Sequence, residues 1–304
     1  MLRVATFNVN GIRAADRRGF RRWLAESECD VIALQELRCG ARDVPEGVFG
    51  EYHVAVDHGV LAGRNGVAVL TREPPAAVRA WGREVLTGVG ADVVPRAPDS
   101  GPTLSRELAR HRDEGRYLEV DLAGAPVTVA SLYLPKGGLP AHLQNLGRMR
   151  GAPDGGAAHA RKTRFMTGFA RYLTRTRLTA KGKGREFVLL GDLNVAHTRH
   201  DVAAWRRNQS SEGFLPEERE WFGSLLGPRT LHDVVRDLHG DQPGPYSWWS
   251  WLGTTYERDA GWRIDHHLAT ARLARSARRV RVDREIDGVR LSDHAAVVVD
   301  YDLP

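Results

Sequence analysis

The sequence predicts an α/β fold in which two mixed β-sheets pack face to face with helices outside. Three observations carry this. Short apolar runs with polar ends recur along the 304 residues, as strands do. Helical patterns lie between some of them. Two of the runs, Leu118–Leu122 and Val127–Tyr133, flank the turn sequence AGAP, so antiparallel pairing is present. The order is not a strict β-α-β repeat, which disfavours a doubly wound parallel sheet.

Taken along the chain, Val4–Phe7 is the first strand. IRAADRRGFRRWLAESE follows as a helical stretch, with Phe20, Trp23 and Leu24 on one face. Val31–Leu34 and Val67–Leu70 are the next strands. The segment from Trp81 to Arg116 carries the Gly- and Pro-rich GVGADVVPRAPDSGP and reads as an inserted surface loop, followed by a helical LSRELARHRDEG. After the AGAP hairpin, a second Gly- and Pro-rich loop runs from Gly137 to His159. HARKTRFMTGFARYLTRT sets Phe165, Phe169, Tyr172 and Leu173 on one helix face. Phe187–Leu190 is a strand that runs into GDLNVAHTRHD. LPEEREWFGSLLG opens with Pro216 and acids and ends at Gly227, as a helix should. Ile264–Ala269 and Ala295–Val299 complete the strands. No repeat and no interdomain linker interrupts the order, so one domain over residues 1–304 is expected.

Composition narrows the function classes. Lys and Arg number 44 against 38 acids, giving +6 and a pI near 9.6. That balance favours a polyanionic partner without proving one. Two cysteines, Cys29 and Cys39, make no disulfide framework. The opening MLRVATFNVNG lacks the apolar core of a signal peptide, and no stretch approaches the roughly 20 apolar residues of a membrane span. A soluble, cytoplasmic protein is expected.

The strands share one habit: they end in polar residues able to do chemistry. ATFNVNG delivers Asn8, IALQELR delivers Glu36, and ASLYLPKGG delivers Tyr133. LLGDLNVAH delivers Asp192 and Asn194, and GWRIDHHLAT delivers Asp265. LSDHAAVVV presents Asp293 and His294 just before its strand. Each alone reads equally well as a turn former, a cap or a solvated acid. All of them in matching contexts read as a site gathered on one rim.

The segments TFNVNGIRA, LQEL, GVAVLT, GDLNVAH, WRIDHHLAT and LSDHAAVVV follow one another in order between residues 4 and 299. Together they resemble the exonuclease III family of abasic-site (AP) endonucleases. That resemblance implies a DNase I-like four-layer α/β sandwich. It implies a monomer that cuts duplex DNA carrying abasic or 3′-blocked sites, 5′ to the lesion, leaving a 3′-hydroxyl, with 3′-5′ exonuclease or 3′-phosphatase side activity. Glu36 resembles the ligand of a catalytic Mg²⁺ (or Mn²⁺), with Asn8 beside it and Asp293 as a further acid. A hard cation of this kind takes oxygen ligands and keeps several waters. Asp192 resembles the group that activates water, steadied by Asn194. His294 resembles the phosphate-binding histidine, paired to Asp265, and Tyr133 a phenol at the phosphate or leaving group. Within GDLNVAHTRHD, His197 and Asp201 read as loop supports.

The same resemblance places Trp248, Trp262 and Ile264 around an apolar pocket for an extruded sugar, which selects by excluding an intact nucleotide. Asn208 matches an asparagine on the DNA backbone, and reads as readily as a surface loop amide. Lys136 departs from the family, standing where an amide usually touches phosphate, and Leu37 replaces a small polar residue beside Glu36. Arg148, Arg150 and Arg161, in or beside the second loop, are candidate DNA contacts. Two other classes stay open at this point: a superfamily phosphodiesterase for another phosphoester, and a non-catalytic DNA-binding module.

Overall fold

The computed structural model describes residues 1–61, 63–90, 92–145 and 152–303. Its strands, in chain order, are β1 (Leu2–Asn8), β2 (Val31–Gln35), β3 (His53–Asp57), β4 (Val67–Thr71), β5 (Ala77–Ala80), β6 (Val85–Val89), β7 (Asp92–Arg96), β8 (Tyr117–Asp121), β9 (Val127–Tyr133), β10 (Glu186–Asp192), β11 (His232–Asp233), β12 (Asp265–Ala269), β13 (Ala277–Asp283) and β14 (Ala296–Tyr301). The helices are α1 (Ile12–Arg17), α2 (Phe20–Glu26), α3 (Arg106–Ala109), α4 (Ala157–Gly182), α5 (Pro216–Leu225), α6 (Val234–His239) and α7 (Ala271–Ser276).

Eight strands form one mixed sheet, in the order β13-β14-β1-β2-β4-β3-β6-β7, and six form the other, β11-β12-β10-β9-β8-β5. Strand alternation makes four layers of them. Val4, Val31, Ala33, Val67 and Val69 of the first sheet meet Leu118, Val120, Val129, Val188 and Leu190 of the second in the central layer. The odd-phase residues of the first sheet, Phe7, Ile32 and Leu34, turn outward onto Phe20, Trp23 and Leu24 of α2. Those of the second, Leu132, Phe187 and Leu189, turn outward onto Phe165, Phe169 and Tyr172 of α4. The expected face-to-face sandwich with outer helices is the fold observed.

The details go beyond the sequence reading, which did not anticipate β3, β5, β11, β13, α6 or α7, and they differ from it at two further places. The first predicted helix is split, because Gly19 takes φ 108 between α1 and α2. The segment from Trp81 to Arg116 is not simply a surface loop: it extends the large sheet by β6 and β7 before the short α3. Gly88 and Pro95 hide its strand alternation, and a side chain on Gly88 (φ 153) would run into the Asp92 carbonyl. β7 is the sheet's edge, with Asp92 and Pro95 exposed to solvent. The AGAP hairpin forms as expected, β8 pairing antiparallel with β9. Cys29 and Cys39 are buried free thiols. Among the described residues no helix is long and apolar enough to cross a membrane.

Polar bonds tie the sheets together inside the apolar layer. Gln35 Nε2 donates to Ser131 Oγ at 3.0 Å, and Ser131 Oγ donates to the Leu34 carbonyl at 3.0 Å. His267 of β12 reaches the Val297 carbonyl of β14 through Nε2 at 3.0 Å and Tyr301 Oη through Nδ1 at 3.3 Å. Its neighbour His266 lies within 2.9 Å of the Val195 carbonyl through Nε2 and 3.1 Å of Arg263 through Nδ1. Burial pushes both imidazoles down to about 4, so both rings are neutral Nε2–H tautomers.

Two outcomes follow. Nitrogen shifts of His266 and His267 in an NMR titration stay constant between about pH 5 and 8, and a midpoint near the ordinary value of about 6.5 would contradict their neutral burial. Gly191 has φ 141, and a Cβ there would overlap the Leu132 carbonyl. Gly191→Ala therefore lowers the urea-unfolding free energy by about 3 kcal/mol.

Candidate active site

The alternation that fills the central layer also builds a polar end to it. Asn8 continues the inward series of Val4 and Thr6, Tyr133 that of Val127 and Val129, and Asp192 that of Val188 and Leu190. Asp265 precedes inward His267 and Ala269. Register then sets Asp192 opposite Asp265 on one side and Tyr133 on the other. The first sheet brings Asn8 opposite Gln35, directly before Glu36. Glu36 has φ 55, a left-handed conformation uncommon outside Gly, Asn and Asp. It is secured by Gly11 N donating to the Glu36 carbonyl at 2.8 Å.

Asp192 is the hub. Its Oδ1 accepts the Asn194 N–H at 2.8 Å, and its Oδ2 accepts Asn8 Nδ2 at 2.9 Å and Asn194 Nδ2 at 3.2 Å. Asn8 Nδ2 also donates to Glu36 Oε1 at 3.1 Å. Asn8 thus clamps two carboxylates with its nitrogen, while its oxygen accepts the Asn10 N–H at 3.0 Å. His294 Nδ1 sits 2.9 Å from Asp265 Oδ2, and its Nε2 faces Asp192 Oδ2 at 3.9 Å. Asp293 accepts Asn10 Nδ2 at 2.6 Å and the Trp248 indole N–H at 3.1 Å. Every acid, amide, phenol and imidazole predicted from the strand ends is therefore within this one connected rim.

Electrostatics follow from burial. Desolvation holds the Asp192 carboxyl above its ordinary range; His294 pulls it down, and Asp265 and Glu36 push it further up. Burial opposes charge on His294, but the Asp265 carboxylate, with Asp192 and Asp293, outweighs it and raises the imidazole well above its usual value. Tyr133 is raised by burial and by Glu36 and Asp192, so its phenol keeps its proton. Burial alone would raise Asp293, yet His294 and the bonds from Trp248 and Asn10 lower it.

Among the described residues Asp265 Oδ1 is buried without a hydrogen-bond donor, and Glu36 Oε2 is buried with no partner but a nearby cation. The Arg38 guanidinium makes an ion pair with Glu36 Oε2, so positive charge already stands at that atom. Ligand atoms of Asp192, Asp265 and His294 also lie within 4.8 Å of one another. The imidazole of that trio is engaged through Nδ1 with Asp265. The oxygen set around Glu36 suits a hard divalent cation better.

The strand-end habit did not expose several supporting residues. Ser247 Oγ donates to Asp265 Oδ2 at 2.6 Å and accepts the backbone N–H groups of Ile264 and Asp265. Lys162, fully buried, donates to the Asn194 carbonyl at 2.8 Å and to Glu218 Oε1 at 2.6 Å. Arg263 pairs with Asp201 at 2.7 Å and with Asp233 at 2.7 Å, and Arg236 also pairs with Asp201. Asp201, which caps its own turn through Thr198, supports the loop after β10. His197 does so by packing on Phe222, ring centroids 4.9 Å apart. Arg116 lies over the Tyr133 ring at 5.1 Å and donates to its carbonyl at 3.1 Å. Of these, only His197 and Asp201 stood out in the sequence, as supports of the loop after Phe187–Leu190.

Beside the rim, Ile264, Phe214, Val202 and Ala196 form a small apolar cluster against which Trp248, Trp262 and Trp205 pack. Trp248 and Trp262 meet edge-on at 6.4 Å. Trp249 is core, and Trp251 is exposed. Lys136 is exposed and 3.4 Å from Glu212. Asn208 spends its amide locally, on the Ala204 carbonyl and Ser211 Oγ. Leu37 is buried in the layer beneath α1. Arg161 is paired to Glu114 at 2.7 Å, whereas Arg148 and Arg150 lie outside the described residues.

This fold and rim define a phosphoester-handling class, and the comparisons agree. Residues 5–294 match the Endonuclease/Exonuclease/phosphatase family, and the chain belongs to it. It is 27% identical over 300 residues to an exodeoxyribonuclease of Bacillus subtilis, covering 97% of this chain and 98% of that one. It is likewise 27% identical over 308 residues to a DNA-(apurinic or apyrimidinic site) endonuclease of Dictyostelium discoideum, covering 99% and 71%. Among solved structures, an AP endonuclease from Archaeoglobus fulgidus superposes with a TM-score of 0.75 at 27% identity, over 100% of both chains.

Lys162→Met leaves Glu218 buried without its cation and lowers stability by about 3–5 kcal/mol. Lys162→Met/Glu218→Gln recovers part of that loss in chemical denaturation. Equal stability of parent and single variant would show the pair to be immaterial.

Proposed function

We propose that the protein is a divalent-cation-dependent DNA repair nuclease. It hydrolyses the phosphodiester 5′ to an abasic site in duplex DNA and leaves a 3′-hydroxyl, with 3′-5′ exonuclease or 3′-phosphatase activity alongside. The observation that carries this is one rim holding Asp192, the His294–Asp265 pair, Tyr133 and Glu36 beside an apolar cluster. The names of the relatives, an exodeoxyribonuclease and AP endonucleases, support the substrate class.

Glu36 would hold the cation, with Asp293 and the Asn8 amide close by, and Mg²⁺ fits the oxygen donors, Mn²⁺ also serving. When bound, such an ion neutralises phosphate charge and stabilises the leaving 3′-oxygen. Asp192, aimed by Asn8 and Asn194, accepts a proton from the attacking water at its carboxylate. Its raised affinity for a proton suits a general base. His294, kept cationic by Asp265, donates Nε2–H to a non-bridging phosphate oxygen. Tyr133, opposite Asp192 in the sheet, donates its phenolic O–H to a phosphate oxygen. Ser247 holds Asp265, and so the imidazole, in orientation. Trp248, Trp262 and Ile264 offer an apolar wall that an abasic deoxyribose fits and a base-bearing nucleotide overfills, with Lys136 and Asn208 on the flanking backbone.

Purified protein with Mg²⁺ incises a duplex bearing one abasic analogue at its 5′ side, and chelator stops it; an intact strand after long incubation at high enzyme would refute the assignment. Asp192→Asn lowers kcat about 10²–10⁴-fold with duplex binding retained. The pH–rate profile rises as Asp192 loses its proton, above the ordinary carboxylate range near pH 4. It falls only as His294 loses its own, above the ordinary imidazole value near pH 6.5. A bound cation shifts both limbs downward.

A further inference from the structure

A second basic feature lies outside the catalytic rim. Helix α4 carries seven Lys and Arg residues, Arg161, Lys162, Arg164, Arg171, Arg175, Arg177 and Lys181, and no acid. A solvated helix face normally mixes both signs. Lys162 is internal and paired to Glu218, but the Arg164 side chain has no hydrogen bond or ion pair among the described residues. Helix α3 crosses α4 at Gly168, where a side chain would press on Leu108 and Glu107. The crossing brings Arg106 and Arg110 beside Arg161 and Arg164 around a cavity of about 380 Å³. Arg106 and Arg110 are also without a hydrogen-bonded or ionic side-chain partner among the described residues, and both are exposed.

Two acids border the cavity, and both are already committed. Glu107 is paired to Arg171 at 3.0 Å. Glu114 is shared by Arg161, by Arg116 at 2.6 Å and by His111 at 3.1 Å. Three guanidinium groups therefore converge with no counter-charge of their own. Such an arrangement is self-repulsive and is relieved by an external anion. The cavity also adjoins the rim. Glu114 holds Arg116, which lies over Tyr133, and Lys162, one residue from Arg161, holds the Asn194 carbonyl.

We infer that Arg106, Arg110 and Arg164 form a phosphate-backbone contact for duplex DNA beyond the catalytic rim, entered from the Tyr133 side. Guanidinium groups suit this role because their planar forks match phosphate oxygens. The contact adds affinity without sequence preference and takes no part in bond breaking. The inference rests on the reading of duplex DNA as the substrate.

The test is Arg106→Ala/Arg110→Ala/Arg164→Ala beside a control lacking as many charges, Arg272→Ala/Arg275→Ala/Arg279→Ala. The control residues lie on α7 and on the far half of β13, at the opposite end of the sandwich from Asp265. Binding of a labelled duplex of about 30 base pairs with one abasic analogue is measured in chelator over about 50 to 200 mM salt. The triple variant loses about 2 to 3 from the slope of log affinity against log salt, and the control keeps the parent slope. With Mg²⁺, KM rises while kcat stays at the parent value. A slope unchanged, or reduced equally in the control, overturns the inference, as does a fall in kcat at unchanged KM. If the parent binds and the triple variant loses the slope, yet no duplex is ever cut, the inference stands and the assigned reaction falls.

Discussion

The pairing register of β9, β10 and β12 is the constraint on which the site depends. It sets Tyr133, Asp192 and Asp265 side by side on the inner face of one sheet. A strand has a period of two, so a slip of one residue would turn the affected set out toward the helices. Gly191 makes the register enforceable. The chain passes so close to the Leu132 carbonyl that no side chain fits there, and the following carboxylate is delivered into the central layer. From that point His294 is located by Asp265, Asn8 by Asp192, and Glu36 by Asn8.

Putting acids between two sheets is costly. A buried ionised group without a partner loses several kcal/mol of hydration. The molecule meets that cost with pairs and amides. Arg263, with no exposed surface, spans Asp201 and Asp233. Lys162 joins Glu218 to the Asn194 carbonyl. These contacts are weak evidence for added stability, since apolar replacements are often neutral. Their geometric effect is clearer. They fix the loop after β10 on both sides, leaving Asp192 and Asn194 few alternative positions. Asp265 keeps an oxygen without a hydrogen-bond donor, whereas the outer oxygen of Glu36 is met by the Arg38 guanidinium.

Much of this was legible in the chain. Apolar runs of four to seven residues located the central strands, and the residues ending them located the rim. The layers themselves could be anticipated from strands that were apolar in both phases, as β2 is over Val31–Leu34 and β4 over Val67–Leu70. What stayed hidden has physical reasons. β13 reads ARRVRVD and has a charged, half-exposed face, so its apolar content is low. β6 and β7 are interrupted by Gly88 and Pro95. Ser247, Lys162 and Arg263 act through distant partners, and a separation such as that between Lys162 and Glu218 leaves no local pattern. Trp248 was legible as part of an apolar wall, but its indole N–H bond to Asp293 was not.

The large sheet ends in β7 at one side and β13 at the other, and exposed strand edges invite pairing with another chain. Pro95 offers no N–H to an incoming strand, and Asp92 and Arg96 flank it with charge. β13 presents Arg278 and Arg279 to solvent. A polypeptide whose central layer is this rich in valine would otherwise be prone to sheet-to-sheet aggregation. The borders of the large sheet are built to refuse such pairing.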